Sequence, residues 1–193
     1  MDKLLTRALL RGAFVFLALQ FIVGCGKKED EEATPPPGIK VESQEGRFSL
    51  FLPDSFPSPE FSTKQVTTEA GAIDMHLYTS SKSDGSAFIL SYNDYPEFAF
   101  EKETERMMDD IRDGALGNMD AKLESQKDFT FEGNPARTIN FSLTAEGQKG
   151  YGRLQYYIVK PRLYQIIFLS LDNQFERDAK AINQTFSSFK LLK

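Results

Sequence analysis

Of 193 residues, one is cysteine, one is histidine and none is tryptophan. A single thiol closes no intramolecular disulfide, so a disulfide-framed fold is excluded. One histidine and one cysteine also fall short of the set a structural zinc site draws from those side chains. The chain has no G-x-S-x-G, no P-loop and no G-x-G-x-x-G, so the nucleophile elbow and the phosphate-cradling loops are missing. Bases are outnumbered: Lys and Arg total 23 against 28 Asp and Glu, a net charge of −5. An acidic body has no electrostatic reason to bind nucleic acid. The apolar stretch AFVFLALQFIV, residues 13–23, is short for a bilayer. As a helix it covers about 16 Å, half a hydrocarbon core.

What is present begins with that stretch. Lys3, Arg7 and Arg11 precede it and Gly24 and Cys25 follow it. A positive start, a short apolar run and a small residue at the cut describe an export signal. Ile22-Val23-Gly24-Cys25 resembles the bacterial lipobox. The resemblance implies cleavage between Gly24 and Cys25, a diacylglyceryl group on the Cys25 thiol and acylation of the new amino terminus. The rival readings are an uncleaved anchor, or an ordinary signal peptide with an incidental cysteine. Two or three acyl chains hold a protein stably on a membrane, where one is marginal. Position 26 is Gly rather than Asp, which resembles an outer-membrane more than an inner-membrane destination under enteric-type sorting.

The segment GKKEDEEATPPPG, residues 26–38, is charged and then proline-rich, without apolar periodicity. It reads as a disordered tether stiffened by Pro35, Pro36 and Pro37. A proline-motif ligand is the rival reading. The expected organisation is a signal peptide at 1–24, a lipidated Cys25 with its tether to 38, and a globular domain at 39–193.

Within 39–193 the apolar residues change period several times. Residues 47–53 (RFSLFLP) and 72–80 (AIDMHLYTS) alternate as strands do, and KSDGS at 82–86 carries a hairpin Asp-Gly. AFILSY at 87–92 and RLYQIIFLSL at 162–171 are apolar on both faces. Both read as central strands covered on two sides. After Pro96, residues Phe100, Thr104, Met107, Met108, Ile111 and Ala115 share one helical face. Three more strands are expected, at 128–144 with a bend at Gly133–Pro135, at 151–159 and at 162–171. A second helix is expected from Asn173 as N-cap, with Phe175, Ala179, Ile182 and Phe186 on one face. Tight turns argue for antiparallel pairing. The expected class is α+β, a central antiparallel sheet flanked by helices as an α/β/α sandwich.

In their order along the chain, RFSLFLPDSFP, GNPARTINFSL and the closing LYQIIFLSLDNQFERDAKAINQTFSSFKLL resemble the PsbP/Mog-type superfamily, which includes bacterial PsbP-like lipoproteins. The resemblance implies the α/β/α sandwich over most of 39–193 and an accessory or binding role. No stretch matches a PsbP-specific metal or photosystem-binding motif, so it implies no cofactor.

Candidate chemistry is sparse. His76 and Asp74 share a strand face, a pair common by chance. Gly150-Tyr151-Gly152 reads as turn chemistry beside a hairpin. Glu101 and Glu105, one helical turn apart, form a calcium-chelating pair or, more plainly, a solubilising face shared with Glu103, Asp109 and Asp110. Met107 and Met108 read as core. The aromatic loop Tyr92, Tyr95, Phe98 is the candidate contact surface, with a packed connection as its rival. No catalytic or metal residues are assigned. The first reading is therefore a membrane-anchored, non-enzymatic binding or accessory lipoprotein of the bacterial envelope with an envelope protein partner. The second is a small-ligand or divalent-metal-binding module, using a pocket between sheet and helix or the acidic face. The third is a hydrolase with an unfamiliar site.

The leader makes a direct prediction. Mass spectrometry of protein from its own membranes should find an amino-terminal Cys25 carrying diacylglycerol and an amide-linked acyl chain. Cys25→Ser should abolish that mass and the cut at Gly24. A mature start elsewhere would refute the lipobox reading.

Overall fold

The computed structural model describes residues 38–193 except 69, 102, 146, 172 and 173. The expectations for residues 1–37, Cys25 among them, and the Asn173 N-cap lie outside the described residues. Within them no helix is long and apolar enough to cross a membrane.

Ten strands and two α-helices follow in the order β1 (Ile39–Ser43), β2 (Phe48–Leu52), β3 (Glu60–Thr68), β4 (Gly71–Ser81), β5 (Ala87–Asp94), α1 (Thr104–Asn118), β6 (Lys122–Phe131), β7 (Asn134–Ala145), β8 (Gln148–Val159), β9 (Arg162–Leu171), α2 (Gln174–Ser187) and β10 (Lys190–Leu191). A seven-stranded sheet runs β3-β4-β5-β9-β8-β7-β6, and a three-stranded one runs β1-β2-β10. Every pairing is antiparallel. The class is α+β, as the strand pattern implied. The small sheet, made from both ends of the described chain, is the addition.

The two-faced central strands feed two cores because successive side chains point to opposite faces. On one face Phe88, Leu90 and Tyr92 of β5 join Tyr164, Ile166 and Phe168 of β9, Leu50 of β2, and Ile182 and Phe186 of α2. On the other, Leu163 of β9 and Leu154, Tyr156 and Ile158 of β8 meet Met107, Met108 and Leu116 of α1. Both methionines are core, as their spacing indicates. Coverage of the second face is uneven: Met75, Leu77 and Ile89 are only half-buried and belong to neither core.

Several local expectations change. α1 begins at Thr104, and Glu97–Phe100 form a separate 3-10 turn. Phe100 nevertheless packs against the α1 core. The bend at Gly133 is a full hairpin turn, because residues 122–127 continue β6 as an edge strand paired with β7. That stretch, KLESQK, is exposed on both faces and has Leu123 as its one apolar residue, so it carries no alternation to read. Gly150 and Gly152 lie inside β8, not in a turn. Gly152 is there because the Phe141 ring of β7 occupies the space a Cβ would need.

One charged group is sealed beneath α1. Arg137 of β7 is 1% exposed. Its guanidinium donates to both Asp128 carboxylate oxygens (Nη2–Oδ2 3.0 Å) and to Asp109 of α1 (Nη1–Oδ1 2.5 Å). Arg112 shares Asp109 at 2.9 Å. The Arg137 hydrogen bond holds the Asp128 carboxyl below its ordinary 3.8. A depressed carboxylate contributes stability above its unfolded pKa and loses it as pH falls through the folded one. Urea unfolding midpoints should therefore drop in acid, below about pH 4. Arg137→Ala should cost about 2 kcal/mol at neutral pH, chiefly by emptying the space of a side chain only 1% exposed, because Asp109 and Asp128 stay open to water. A neutral-pH midpoint unmoved by that substitution would contradict this role.

Candidate contact site

β5 ends at Asp94, and the chain passes through Tyr95 and Pro96 into the 3-10 turn. Proline fixes the extended entry there (φ −63°, ψ 150°). The Tyr95 amide donates to the Pro161 carbonyl at 2.9 Å, which pins the loop to the turn between β8 and β9. The Tyr95 and Phe100 rings meet edge-on with centroids 6.3 Å apart. The Lys160 ammonium sits 5.5 Å over the Phe100 ring. The loop is thus held at both ends, while Phe98 between them is 57% exposed.

Phe98 lines two concavities. One, of about 560 Å³, is walled by Tyr95, Ala99 and the α1 residues Met107, Ile111 and Gly114, with Asp110 and Asp113 among its lining. The other, of about 870 Å³, includes Phe100, Glu97, Glu101, Lys160 and Pro161. Among the described residues, Glu97, Glu101, Asp110, Asp113 and Lys160 border this aromatic ridge. Asp113 is ion-paired with Arg112 (2.7 Å), and that hydrogen bond lowers its pKa. Burial pushes the Tyr95 phenol up. Asn93, two residues earlier, is 1% exposed, and neither of its amide atoms has a well-formed partner.

The structure separates the three loop aromatics. Tyr95 is half-buried and Phe98 exposed, but Tyr92 is 1% exposed and points into the core shared with the small sheet. It stands in one cross-strand row, Thr63–His76–Tyr92–Tyr164–Tyr157–Ala136–Phe129, that crosses all seven strands. A strand residue is assigned to a face by parity, and Tyr92 has the parity of Phe88 and Leu90. A loop reading of residue 92 misses this.

His76 is a member of the same row. It stacks on Tyr92 (4.6 Å, 19°) and on Phe61 (6.1 Å, 6°), and its Nδ1 is hydrogen-bonded to Thr63 Oγ1 at 3.1 Å. Asp74 is exposed, and its register partner is Gln65. Stacking and a threonine hydroxyl make a packed histidine, not a histidine–aspartate pair. Glu101 caps the 3-10 turn while Glu105 lies in α1, so the two are not neighbours on one helix. Among the described residues no group of three or more His, Cys, Asp or Glu side chains is placed to hold a metal ion.

Sequence reasoning passed over a second polar focus. Arg162 is 8% exposed. It forks onto Asp94 (2.6 and 2.8 Å), donates to the Glu45 carbonyl (2.7 Å) and lies 4.7 Å over the Tyr92 ring. The Tyr164 hydroxyl donates to the Gly46 carbonyl at 2.7 Å. Gly46 is required there, because a Cβ would meet the Phe48 ring at 2.7 Å and Tyr92 at 2.9 Å. The Arg162 hydrogen bond lowers the Asp94 carboxyl. The arrangement fixes the β1–β2 turn against the sheet. An arginine opening a two-faced apolar strand was the available signal.

No family profile matches the chain, and no curated protein matches it. Solved structures do. The solution structure of cyanobacterial PsbP from Synechocystis sp. PCC 6803 is similar over 79% of this chain and 91% of its own, with 8% identity and a TM-score of 0.53. The Ran-binding protein Mog1p of Saccharomyces cerevisiae aligns over 80% of this chain and 95% of its own, at 10% identity and a TM-score of 0.49. LpqN, involved in cell envelope biogenesis of Mycobacterium tuberculosis, aligns over 82% and 87%, at 13% identity and 0.46. The PsbP likeness supports a PsbP-like fold.

The separation of Tyr92 from Phe98 predicts opposite stability effects. Tyr92→Ala should destabilise by about 3–5 kcal/mol, the usual cost of an emptied aromatic core site. Phe98→Ser should leave the melting temperature within a degree or two, as exposed substitutions do. Equal losses in thermal unfolding would return both rings to one packed connection.

Proposed function

We propose that this chain is a lipid-anchored protein of the bacterial cell envelope, held by an acylated Cys25. Its globular domain, residues 39–193, acts as a non-enzymatic binding module. The leader and the tether support the anchor, and Gly26 favours the outer membrane. The observation that carries the binding role is Phe98, a large apolar ring 57% exposed on a loop held at both ends. An aromatic ring that a partner's pocket can desolvate is a frequent anchor of protein contacts. Glu97 and Glu101 beside the ridge select the partner's chemistry. They favour an apolar segment flanked by Lys or Arg, since complementary charge sets register and steers encounter. The fold likeness adds no partner.

A photo-crosslinking residue at position 98, introduced in cells, should give one discrete adduct in the membrane fraction. The control is position 61, where Phe61 is comparably exposed at 52% on the edge strand β3. Phe98→Ser should reduce co-purification of that adduct's protein at least fivefold, and Phe61→Ser should not. Equal recovery with both variants, or no adduct at 98, would remove the contact role from this loop.

A further inference from the structure

On the face opposite α1, a third concavity of about 310 Å³ opens between α2 and strands β6 to β8. Its walls are rings: Phe129 and Phe131 of β6, Tyr157 of β8 and Phe186 of α2. Its polar members are Arg153, Gln155, Asn183 and Ser187. This is the lower end of the size range for small-molecule sites, with the usual mix of apolar wall and a few convergent polar groups.

Arg153 distinguishes it. Arg112, Arg137 and Arg162 each have an aspartate partner. Among the described residues Arg153 has none. Its Nε donates to Asn140 (2.9 Å) and its Nη1 to Asn183, both neutral amides. The guanidinium lies over the Phe175 ring at 5.8 Å and the Phe186 ring at 6.0 Å. Glu176 acts on it only at a distance, and burial outweighs that attraction, disfavouring its charged form. Two of its five N–H donors are committed to amides. With no ion pair among the described residues, the half-buried guanidinium keeps N–H donors for an anion.

The surroundings hold Arg153 in place. Asn140 is its register partner on β7. The Tyr157 hydroxyl donates to Gln155 (2.7 Å), and Gln155 donates in turn to Thr138 (2.9 Å). The polar floor is therefore fixed before any ligand arrives, which lowers the ordering cost of binding.

We infer that this cleft binds a small organic carboxylate with a flat apolar body. The carboxylate pairs with the Arg153 guanidinium, whose planar fork matches its two oxygens. The body lies among Phe129, Phe131 and Phe186. Rings without the charge lack the arginine's contribution, and a bare anion lacks the walls. The site is independent of Phe98, which lies in the loop beside the opposite face.

The test uses the mature chain in lipid nanodiscs, with empty nanodiscs as the blank. Phenylacetate, indole-3-acetate, benzyl alcohol, acetate and inorganic phosphate are titrated while the Arg153 side-chain Nε–H resonance is followed. The two aromatic carboxylates should saturate and shift that resonance. Benzyl alcohol, acetate and phosphate should bind at least tenfold more weakly. Arg153→Gln should weaken the aromatic carboxylates at least tenfold, read by calorimetry, and Phe98→Ser should leave them unchanged. If Arg153→Gln does not fold, Phe131→Ser on the edge strand supplies the same reading, with the same direction of loss. Equal binding of phenylacetate and benzyl alcohol would overturn the inference. So would aromatic-carboxylate binding that survives these substitutions, or no shift from any probe at millimolar concentration.

Discussion

The Phe189 ring ties the two ends of the described chain to the middle of the sheet. It stacks on Tyr157 at 4.6 Å and meets Tyr164 and Phe131 at 5.5 Å and Phe48 at 6.3 Å. Through it the segment after α2 is held against β2, β6, β8 and β9 at once. β10 is two residues long and adds only the Lys190–Ser49 and Leu191–Phe48 pairs. So short a strand has little stability of its own. The ring contacts fix where it pairs, and with it β2, β1 and the turn that Arg162 and Tyr164 grip from below. The same packing sets the position of α2, because only Ser188 separates Phe189 from the helix. Ser188 Oγ accepts from the Phe51 amide at 2.8 Å and donates to the Thr185 carbonyl at 2.7 Å.

The opposite face is organised by charge as well as by packing. α1 is polar over much of its surface, and its apolar contribution is a few residues, chiefly Met107, Met108 and Leu116. The Tyr156 hydroxyl donates to the Met108 carbonyl, and Arg137 reaches Asp109 from the sheet. These two bonds place consecutive residues of the helix over β7 and β8. Ile111, Ala115 and Met119 pack beside them, and the two polar bonds add to that apolar face in fixing the helix on the sheet. Asp109, shared by Arg137 and Arg112, is where the charge of the sheet and that of the helix meet.

Strand parity carried most of the fold. Residues 48–52, 72–80 and 162–171 were readable because their apolar residues alternate, or fill both faces, within bounds set by turns. The first half of β6, residues 122–127, was not, since an edge strand in water needs no alternation, and its Ser, Gln and Lys look like loop. β1 and β10 were not readable as a sheet, because their pairing is non-local and rests on Phe48 and Phe189 rather than on local pattern. Of the contact loop, the sequence grouped Tyr92, Tyr95 and Phe98 as one surface; Tyr92 was not legible as core, since the last inward ring of a strand and the rings of the loop after it read alike. Arg137, Arg153 and Arg162 were passed over for a common reason. Sequence shows an arginine in a strand, while its meaning depends on which neighbour faces it: Asp128, Asn140 or Asp94.

That dependence also bounds what fold likeness transfers. At 8% identity to cyanobacterial PsbP, the shared object is the order and pairing of strands, which many sequences satisfy by keeping apolar residues at the right parity. Side chains that do not serve the core are free to differ. Here those residues divide by face. The α1 side of the sheet presents an aromatic loop bordered by Glu97 and Glu101, whereas the α2 side presents a ring-lined cleft around Arg153, which has no ion pair among the described residues. A two-layered covering leaves each face its own rim. Two unlike surfaces on one sheet therefore require no second domain, only helices that stop short of the sheet's edges. β3 and β6, exposed along most of their length, are those edges.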